Sequence, residues 1–490
     1  EIASCLVGSE MCIRDRRKIH ECYLMRGRKQ NIDTLSDQLA LRVEPDVMIG
    51  MQTFMGITEN HLTAFKHEKG GLLEYILSPS NLNLAYKQVK SNKGSGGIDR
   101  MEVDDLLPYL LSHKDELISS IYDGKYHPNP VRRVEIPKSN GKKRNLGIPT
   151  VVDRLIQQAI FQVLQPLYEP QFSPTSYGFR PHRSAHDALL KCGEYISSGY
   201  VFTVDMDLEK FFDTVWHSKL IEILSRTIKD GRVVSLIHKY LNSGVLIGGK
   251  KEDTPVGVPQ GGPLSPLLSN IMLNELDKEL EKRGHLFVRY ADDLVIFCKS
   301  RRSAQRTLDN LLPFIETKLF LKVNKEKTHV AYMRDIKFLS YAFGRSNGKC
   351  QFYIHGDSIK KMKSKIRELT SRTNGWGYEY RKQRLTWYIR GWLNYFKLAG
   401  LKGRIKEWDG WLRRRIRMCI WKSWKRVRTR YQNLKKLIPN ENRVRMAAFC
   451  RKKYWRMANH PTVHEALSDE RLLRSGYPTF KMYYHPAFKG

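Results

Sequence analysis

Residues Phe287–Cys298 read FVRYADDLVIFC. Two short apolar runs, Phe287 to Tyr290 and Leu294 to Cys298, predict strands, and the adjacent acids Asp292 and Asp293 between them predict a tight hairpin turn. Aspartate is a common turn residue that water solvates, so an ordinary turn accounts for the pair as well as a site does. The site reading is metal binding. Magnesium takes hard oxygen ligands and keeps waters and substrate phosphates, which suits carboxylates projecting from a rigid hairpin. A second stretch supplies a partner. Tyr200–Asp207, YVFTVDMD, alternates so that Phe202, Val204 and Met206 share one face and Asp205 and Asp207 share the other. Two acids on one face of a strand call for a cation, either a metal or a nearby Lys or Arg, and periodicity does not choose between them. Carboxylates from two strands could hold two magnesium ions about 3.5–4 Å apart, clamping the attacking and leaving oxygens of an in-line phosphoryl displacement.

The composition agrees with a phosphate-bearing partner. The 490 residues contain 85 Lys and Arg against 50 Asp and Glu, a net charge of +35, yet 41% are hydrophobic and 11% aromatic. That apolar content separates the chain from a disordered polycation, and its length suits about three domains. No uncharged apolar run reaches about 18 residues, so no membrane span is expected. The 8 cysteines include no CxxC pair, which argues against a disulfide scaffold or a cysteine-rich zinc module and suits a reducing cytosol.

Glu1–Arg16, EIASCLVGSEMCIRDR, does not begin with Met and resembles a translated sequencing adapter. Residues 1–25 are therefore set aside as a candidate non-native segment, and 26–70 as a polar N-terminal extension. Helical patterns run over Leu72–Val89, Val103–Tyr122 and Asp153–Leu167, with a flexible glycine-rich loop, SNKGSGGID, after the first and a strand, Val131–Pro137, between the others. SNGKKR after that strand reads as a turn. Helices are also expected over Trp216–Leu224, Leu264–Arg283 and Ser303–Lys318. Mixed elements with short antiparallel strands indicate an α+β fold. After about Ile359 the composition shifts: residues 360–430 hold 23 Lys or Arg and 4 Asp or Glu, a net of +19. Apolar residues at helical spacing there (Leu385, Ile389, Trp392, Phe396; Ile405, Trp408, Leu412, Ile416) predict two or three helices with a cationic face.

Five motifs, in order, resemble group II intron reverse transcriptases, the intron-encoded maturases. They are RRVEIPKSNGKKRNLGIPTVVDRLIQQA (Arg132–Ala159), SYGFRPHRSAHDAL (Ser176–Leu189), DLEKFFD (Asp207–Asp213), PQGGPLSPLLSNIMLNELD (Pro259–Asp277) and YADD (Tyr290–Asp293). The similarity covers roughly Leu72–Leu437 and is nearest to the compact bacterial IIC type without an endonuclease domain. It implies a right-hand polymerase, with N-terminal helices, lid loop and fingers over 71–199 and mainly palm over 200–358. An α-helical thumb, domain X, would follow over 359–437, and a basic DNA-binding-like region over 438–490. It also selects Asp207, with Asp292 and Asp293, as the catalytic and metal-binding triad for Mg2+. Lys138, Arg144, Phe212 and Gln260 become dNTP-binding residues, Phe212 as the aromatic that excludes a 2′-hydroxyl. Asn92, Lys93 and Gly94 fall in a template-covering lid. Lys337–Phe343, KFLSYAF, falls at the primer grip, with Ser340 where relatives have Gly.

The implied partners are an RNA template, a DNA or RNA primer, dNTPs, the parent intron RNA and target DNA, with no membrane, in the bacterial cytosol and nucleoid. Arg413, Arg414 and Arg417 are expected to bind RNA, while most tryptophans around them are expected to be core. Ser184, His186 and Asp187 lack a nucleophile elbow, and His460 and His464 lack the Glu of a zinc-protease motif. Cys pairs and further His residues expected of an HNH endonuclease do not follow domain X. The rival readings are a non-catalytic RNA-binding splicing factor, a related enzyme recruited to defence or DNA repair, and an RNA-dependent RNA polymerase, which Phe212 opposes.

Overall fold

The computed structural model describes residues 71–137 and 143–485. Its strands are β1 (Val131–Pro137), β2 (Lys143–Ile148), β3 (Phe202–Met206), β4 (Val245–Ile247), β5 (Lys250–Glu252), β6 (Leu286–Tyr290), β7 (Asp293–Cys298), β8 (His329–Tyr332), β9 (Tyr341–Ser346) and β10 (Lys349–Ile354). Two compact units form, one from residues 71–191 and 202–330, the other from 192–201 and 331–485. The division falls near Val330, ahead of the composition change at Ile359. The mixed helix and sheet content is the expected α+β, and no helix among the described residues is long and apolar enough to cross a membrane.

The first unit holds two sheets. One orders β2-β1-β4-β5; β1 and β2 are antiparallel from Arg132 opposite Ile148 to Pro137 opposite Lys143. The expected SNGKKR turn between them lies largely outside the described residues. Helix Val151–Tyr168 starts at Thr150, whose hydroxyl accepts the Asp153 N–H at 3.1 Å, a cap that leaves fewer orphan donors. Asp153 is buried, and it accepts from Tyr126 Oη (2.6 Å), Thr150 Oγ1 (2.6 Å) and the Asn129 N–H (3.2 Å). The helix then buries Leu155, Ile156, Ala159, Ile160 and Leu164.

The glycine-rich segment after helix Pro79–Asn92 is more ordered than its composition suggests. Arg132 donates to the Gly96 carbonyl at 2.8 Å and Arg154 to the Ser95 carbonyl at 2.8 Å. A Cβ at Gly97 would lie 2.6 Å from the Thr150 Cα, so glycine serves close backbone approach here, not mobility. This corrects the expectation of a flexible loop.

The second sheet orders β6-β7-β3 among the strands that lie wholly in this unit. Its inner face, including Val204, Met206, Phe287, Leu294 and Ile296, is buried in the unit's main core. Helix Ser265–Lys282 is buried along most of its length, from Leu267, Leu268 and Ile271 to Leu276 and Leu280.

In the second unit β9 and β10 form a hairpin with Phe343 opposite Phe352. Leu339 and Ser340 precede it at φ 49° and 68°. Ser340 thus adopts the left-handed backbone that glycine takes without strain, and its carbonyl accepts from the His355 N–H and Ser358 Oγ, both at 3.2 Å. Helices Gly356–Leu369, Tyr378–Tyr395 and Lys402–Ser423 follow. Their packing centres on Trp392 and Trp408, whose rings meet edge-on at 5.6 Å, with Phe480 at 6.1 and 5.6 Å from the two. Asp409 accepts the Phe480 and Lys481 N–H groups at 2.6 and 3.1 Å, fixing the C-terminal segment on the helices that precede it.

Trp408 is 1% exposed. Trp408→Ala should cost about 3–5 kcal/mol through lost burial and a residual cavity, measured as a lowered urea midpoint of the helical circular-dichroism signal.

Candidate active site

The antiparallel register of β3 against β7 pairs Phe202 with Cys298 and ends with Met206 opposite Leu294. Asp207 is the next residue of one strand, and Asp293, the first residue of β7, precedes Leu294 on the other. The continuing register therefore faces Asp207 with Asp293, at the roughly 4.5–5.5 Å Cα spacing of antiparallel neighbours. β6 and β7 pair as far as Tyr290 opposite Asp293, so the hairpin loop is only Ala291 and Asp292. Ala291 carries φ +56°, the positive φ that two-residue hairpins require. Two stretches of sequence thus bring three acids to one end of the sheet, and all three are half-buried.

Asp205 and Asp207, equivalent by periodicity, differ in place. Asp205 lies inside β3 opposite Val295. Burial first, with Asp207 nearby as a smaller cause, pushes its carboxyl up to about 6 despite the opposing influence of His329. Asp207 lies past the last strand residue, and its carboxylate accepts from Lys327 Nζ at 3.0 Å and Asn324 Nδ2 at 2.9 Å. Its backbone is fixed too: the Asn324 N–H donates to the Asp207 carbonyl at 2.9 Å, and Leu208 bridges to Val323. The three acids offer oxygen donors only, the set that suits magnesium. A cationic group already fits at Asp207, the Lys327 ammonium. As the side chains stand, no group of three His, Cys, Asp or Glu closes on a common point among the described residues. Sequence reading missed Lys327 and Asn324; their signal was a polar NKEKT turn following an apolar strand-like run.

The remaining expected residues fall as follows. Phe212 is 8% exposed, and its ring packs edge-on to Phe211 at 5.4 Å. Its carbonyl accepts the Val258 N–H at 2.6 Å, which ties the DLEKFFD segment to the PQGG segment. Gln260 gives its carbonyl to the Gly147 N–H at 2.7 Å, so the PQGG loop is bonded to β2. Gly261, at φ +128°, would place a Cβ 2.5 Å from the Gly147 carbonyl oxygen; only glycine suits that approach. Arg144 sits in β2 opposite Ile136, three residues before Gly147 in the same strand. Lys138 lies outside the described residues. Asn92 ends helix Pro79–Asn92, Lys93 follows at φ +43°, and a Cβ at Gly94 would collide with the Arg154 guanidinium.

In the second unit the arginines depart from expectation. Arg417 is 2% exposed; it donates to the Leu467 carbonyl at 2.8 Å and to Asp469 at 2.5 Å. Arg413 also donates to Asp469 at 2.8 Å. Arg414 stacks on Trp455 at 4.1 Å and donates to its carbonyl at 3.1 Å. These three hold the C-terminal helices and do not form an outward cationic face. Exposed cations of the second unit include Arg390, Lys402, Arg404, Lys406, Lys425, Arg426 and Arg428, with the exposed ring of Trp387 one turn from Arg390. As expected, Trp392, Trp408 and Trp421 are core.

Comparison with known proteins finds family matches and relatives for this chain. Residues 136–343 match the family described as reverse transcriptase (RNA-dependent DNA polymerase), and residues 359–438 match the group II intron maturase-specific domain. Protein YkfC of Escherichia coli K12 is 34% identical over 307 residues, covering 54% of this chain and 80% of that protein. The group II intron-encoded protein LtrA of Lactococcus lactis subsp. cremoris is 35% identical over 339 residues, covering 55% and 56%. The putative COX1/OXI3 intron 2 protein of Saccharomyces cerevisiae is 27% identical over 420 residues, covering 66% and 49%. The chain thus spans about half the length of the last two.

Asp205 raised from 3.8 to about 6 costs no stability below about pH 4, where it is protonated folded and unfolded. The cost grows between pH 4 and 6 and is constant above, at up to about 3 kcal/mol. Asp205→Asn, unfolded in EDTA, should therefore gain stability over the parent only as the pH rises through that window; a pH-independent difference would contradict the assignment. Arg417→Ala should lower the thermal midpoint and leave the salt dependence of RNA binding unchanged. Arg426→Ala with Arg428→Ala should keep the midpoint and reduce the slope of log K against log salt by about 1–2.

Proposed function

We propose that this chain, which belongs to the family of group II intron reverse transcriptases with a maturase domain, synthesises DNA on an RNA template and binds its parent intron RNA to assist splicing and mobility. What supports the polymerase reading most is the β3–β7 register, which brings Asp207 to the Asp292–Asp293 hairpin. Asp207, Asp292 and Asp293 would hold two magnesium ions, which when bound supply charge neutralisation for the attacking and leaving oxygens. In the reaction the primer 3′ oxygen attacks the α-phosphorus of a dNTP. A new phosphodiester bond forms, the bond to the β-phosphate breaks and pyrophosphate leaves, while the hydroxyl proton passes to solvent.

The protein's own share is orientation. The Gly147 to Gln260 hydrogen bond couples the strand carrying Arg144 to the PQGG loop, so a cation for the triphosphate and the floor beneath the nucleotide would move together. Phe212, fixed through its buried ring and its carbonyl bond to Val258, would present a rigid wall where a 2′-hydroxyl would clash. In the second unit, Trp387 and the exposed arginines would meet RNA, since flat rings and guanidinium groups suit bases and phosphates. Target DNA and primer would be further nucleic-acid partners.

Asp292→Asn should reduce primer extension on poly(rA)/oligo(dT) with dTTP at least a thousandfold and leave template–primer binding within twofold. Extension near the parent rate would overturn the polymerase reading. Binding without extension by the unaltered protein would favour a purely RNA-binding factor.

A further inference from the structure

Beneath the Tyr290–Asp293 turn lies a fully buried polar network. Arg289, 1% exposed, donates through Nε to both Asp277 oxygens at 2.8 and 3.0 Å, and Asp277 is 0% exposed. Its Nη2 also donates to Asp277. Its Nη1 donates to Asn270 Oδ1 and to the Ala291 carbonyl, both at 3.0 Å. Asn270 passes the chain on, its Nδ2 donating to the Gly178 carbonyl at 2.8 Å. Gly178 lies so close to the turn that a Cβ there would collide with the Ala291 backbone nitrogen. The backbone joins in: the Arg289 N–H donates to the Thr175 carbonyl at 3.0 Å and its carbonyl accepts the Tyr177 N–H at 2.9 Å. Arg180, also buried, donates to the Ser173 and Ser176 carbonyls and to Glu169, and so holds the Ser173–Gly178 segment.

Two physical facts give the network a purpose. A buried ion pair is a poor source of net stability, because desolvating both charges offsets their attraction and an apolar pair of similar volume often does as well. A non-glycine residue at positive φ costs about 1–3 kcal/mol and persists only where the surroundings determine it. Ala291 is such a residue, and Arg289 holds its carbonyl. We propose that Arg289, anchored by Asp277 and Asn270, is the positioning residue that keeps Ala291 left-handed and thereby sets Asp292 and Asp293 for divalent cations; the inference rests on the metal-binding reading of those two acids.

The pair Arg289→Met/Asp277→Leu removes the donor to Ala291 and leaves no unpaired buried charge, so stability and positioning separate. Its thermal midpoint and template–primer affinity should stay close to the parent's. The Mn2+ affinity by electron paramagnetic resonance should fall at least fivefold. Metal-free hydrogen exchange at Ala291 and Asp292 should quicken at least tenfold, with kcat for primer extension falling at least tenfold. Should that pair not fold, Arg289→Lys retains a cation at Asp277 but cannot reach Asp277, Asn270 and Ala291 together, and the same changes are expected. Parental exchange and Mn2+ affinity in a folded variant would overturn the proposal, as would lost activity at parental Mn2+ affinity. Asp292→Asn measured alongside keeps the two claims apart: if it binds Mn2+ as the parent does, the metal reading fails; if it alone loses Mn2+, the positioning claim fails.

Discussion

The structure depends on the pairing register of β3 with β7. Side chains alternate with a period of two along a strand, so a slip by one residue would turn Asp207 to the other face and bring Met206 to the hairpin. The register is set by burial. Val204 and Met206 on β3 and Leu294 and Ile296 on β7 are all at most 3% exposed, and a slip would expose them. The apolar residues that stabilise the sheet are therefore the ones that bring the acids together. Fold and site share one cause.

A second constraint acts on the hairpin itself. The polar residues of helix Ser265–Lys282 that reach it, Asn270 and Asp277, are spaced i, i+7, two helical turns apart on one face. Asn274 lies between them on that face and donates to the Gln171 carbonyl at 3.0 Å. One stripe of a largely apolar helix thus holds both the hairpin and the segment running from Gln171 to Gly178. The motif SYGFRP makes sense in this light: Gly178 is needed for contact with Ala291, and Arg180 for holding the loop's carbonyls.

Much of this was legible in the sequence because it is local. Alternation shows β3, short apolar runs show β6 and β7, and helical spacing shows the long helices of both units. Alternation does not separate Asp207 from Asp205, since both share a face; the end of the strand and the contacts with Lys327 and Asn324 do. Arg289 shares a face of β6 with Phe287, but Val288 on the other face is buried as well, so alternation does not mark the arginine as a buried polar group. Periodicity does not show that Arg413, Arg414 and Arg417 turn inward, because their partners, Trp455, Leu467 and Asp469, lie about 40–55 residues further along. Glycine content likewise suggested mobility at Gly94–Gly97, whereas the cause is close packing against Thr150 and Arg154.

The central claim is that Asp207 and the Asp292–Asp293 turn share bound divalent cations. Fe2+ exchanged for Mg2+ in the presence of ascorbate and peroxide generates hydroxyl radicals at the metal, and mass spectrometry maps the backbone cuts. Two clusters of cleavage are expected, one around Asp207 and one around Asp292 and Asp293, both suppressed by excess Mg2+. Mg2+-sensitive cleavage at only one of the two stretches, or at neither, would contradict the account.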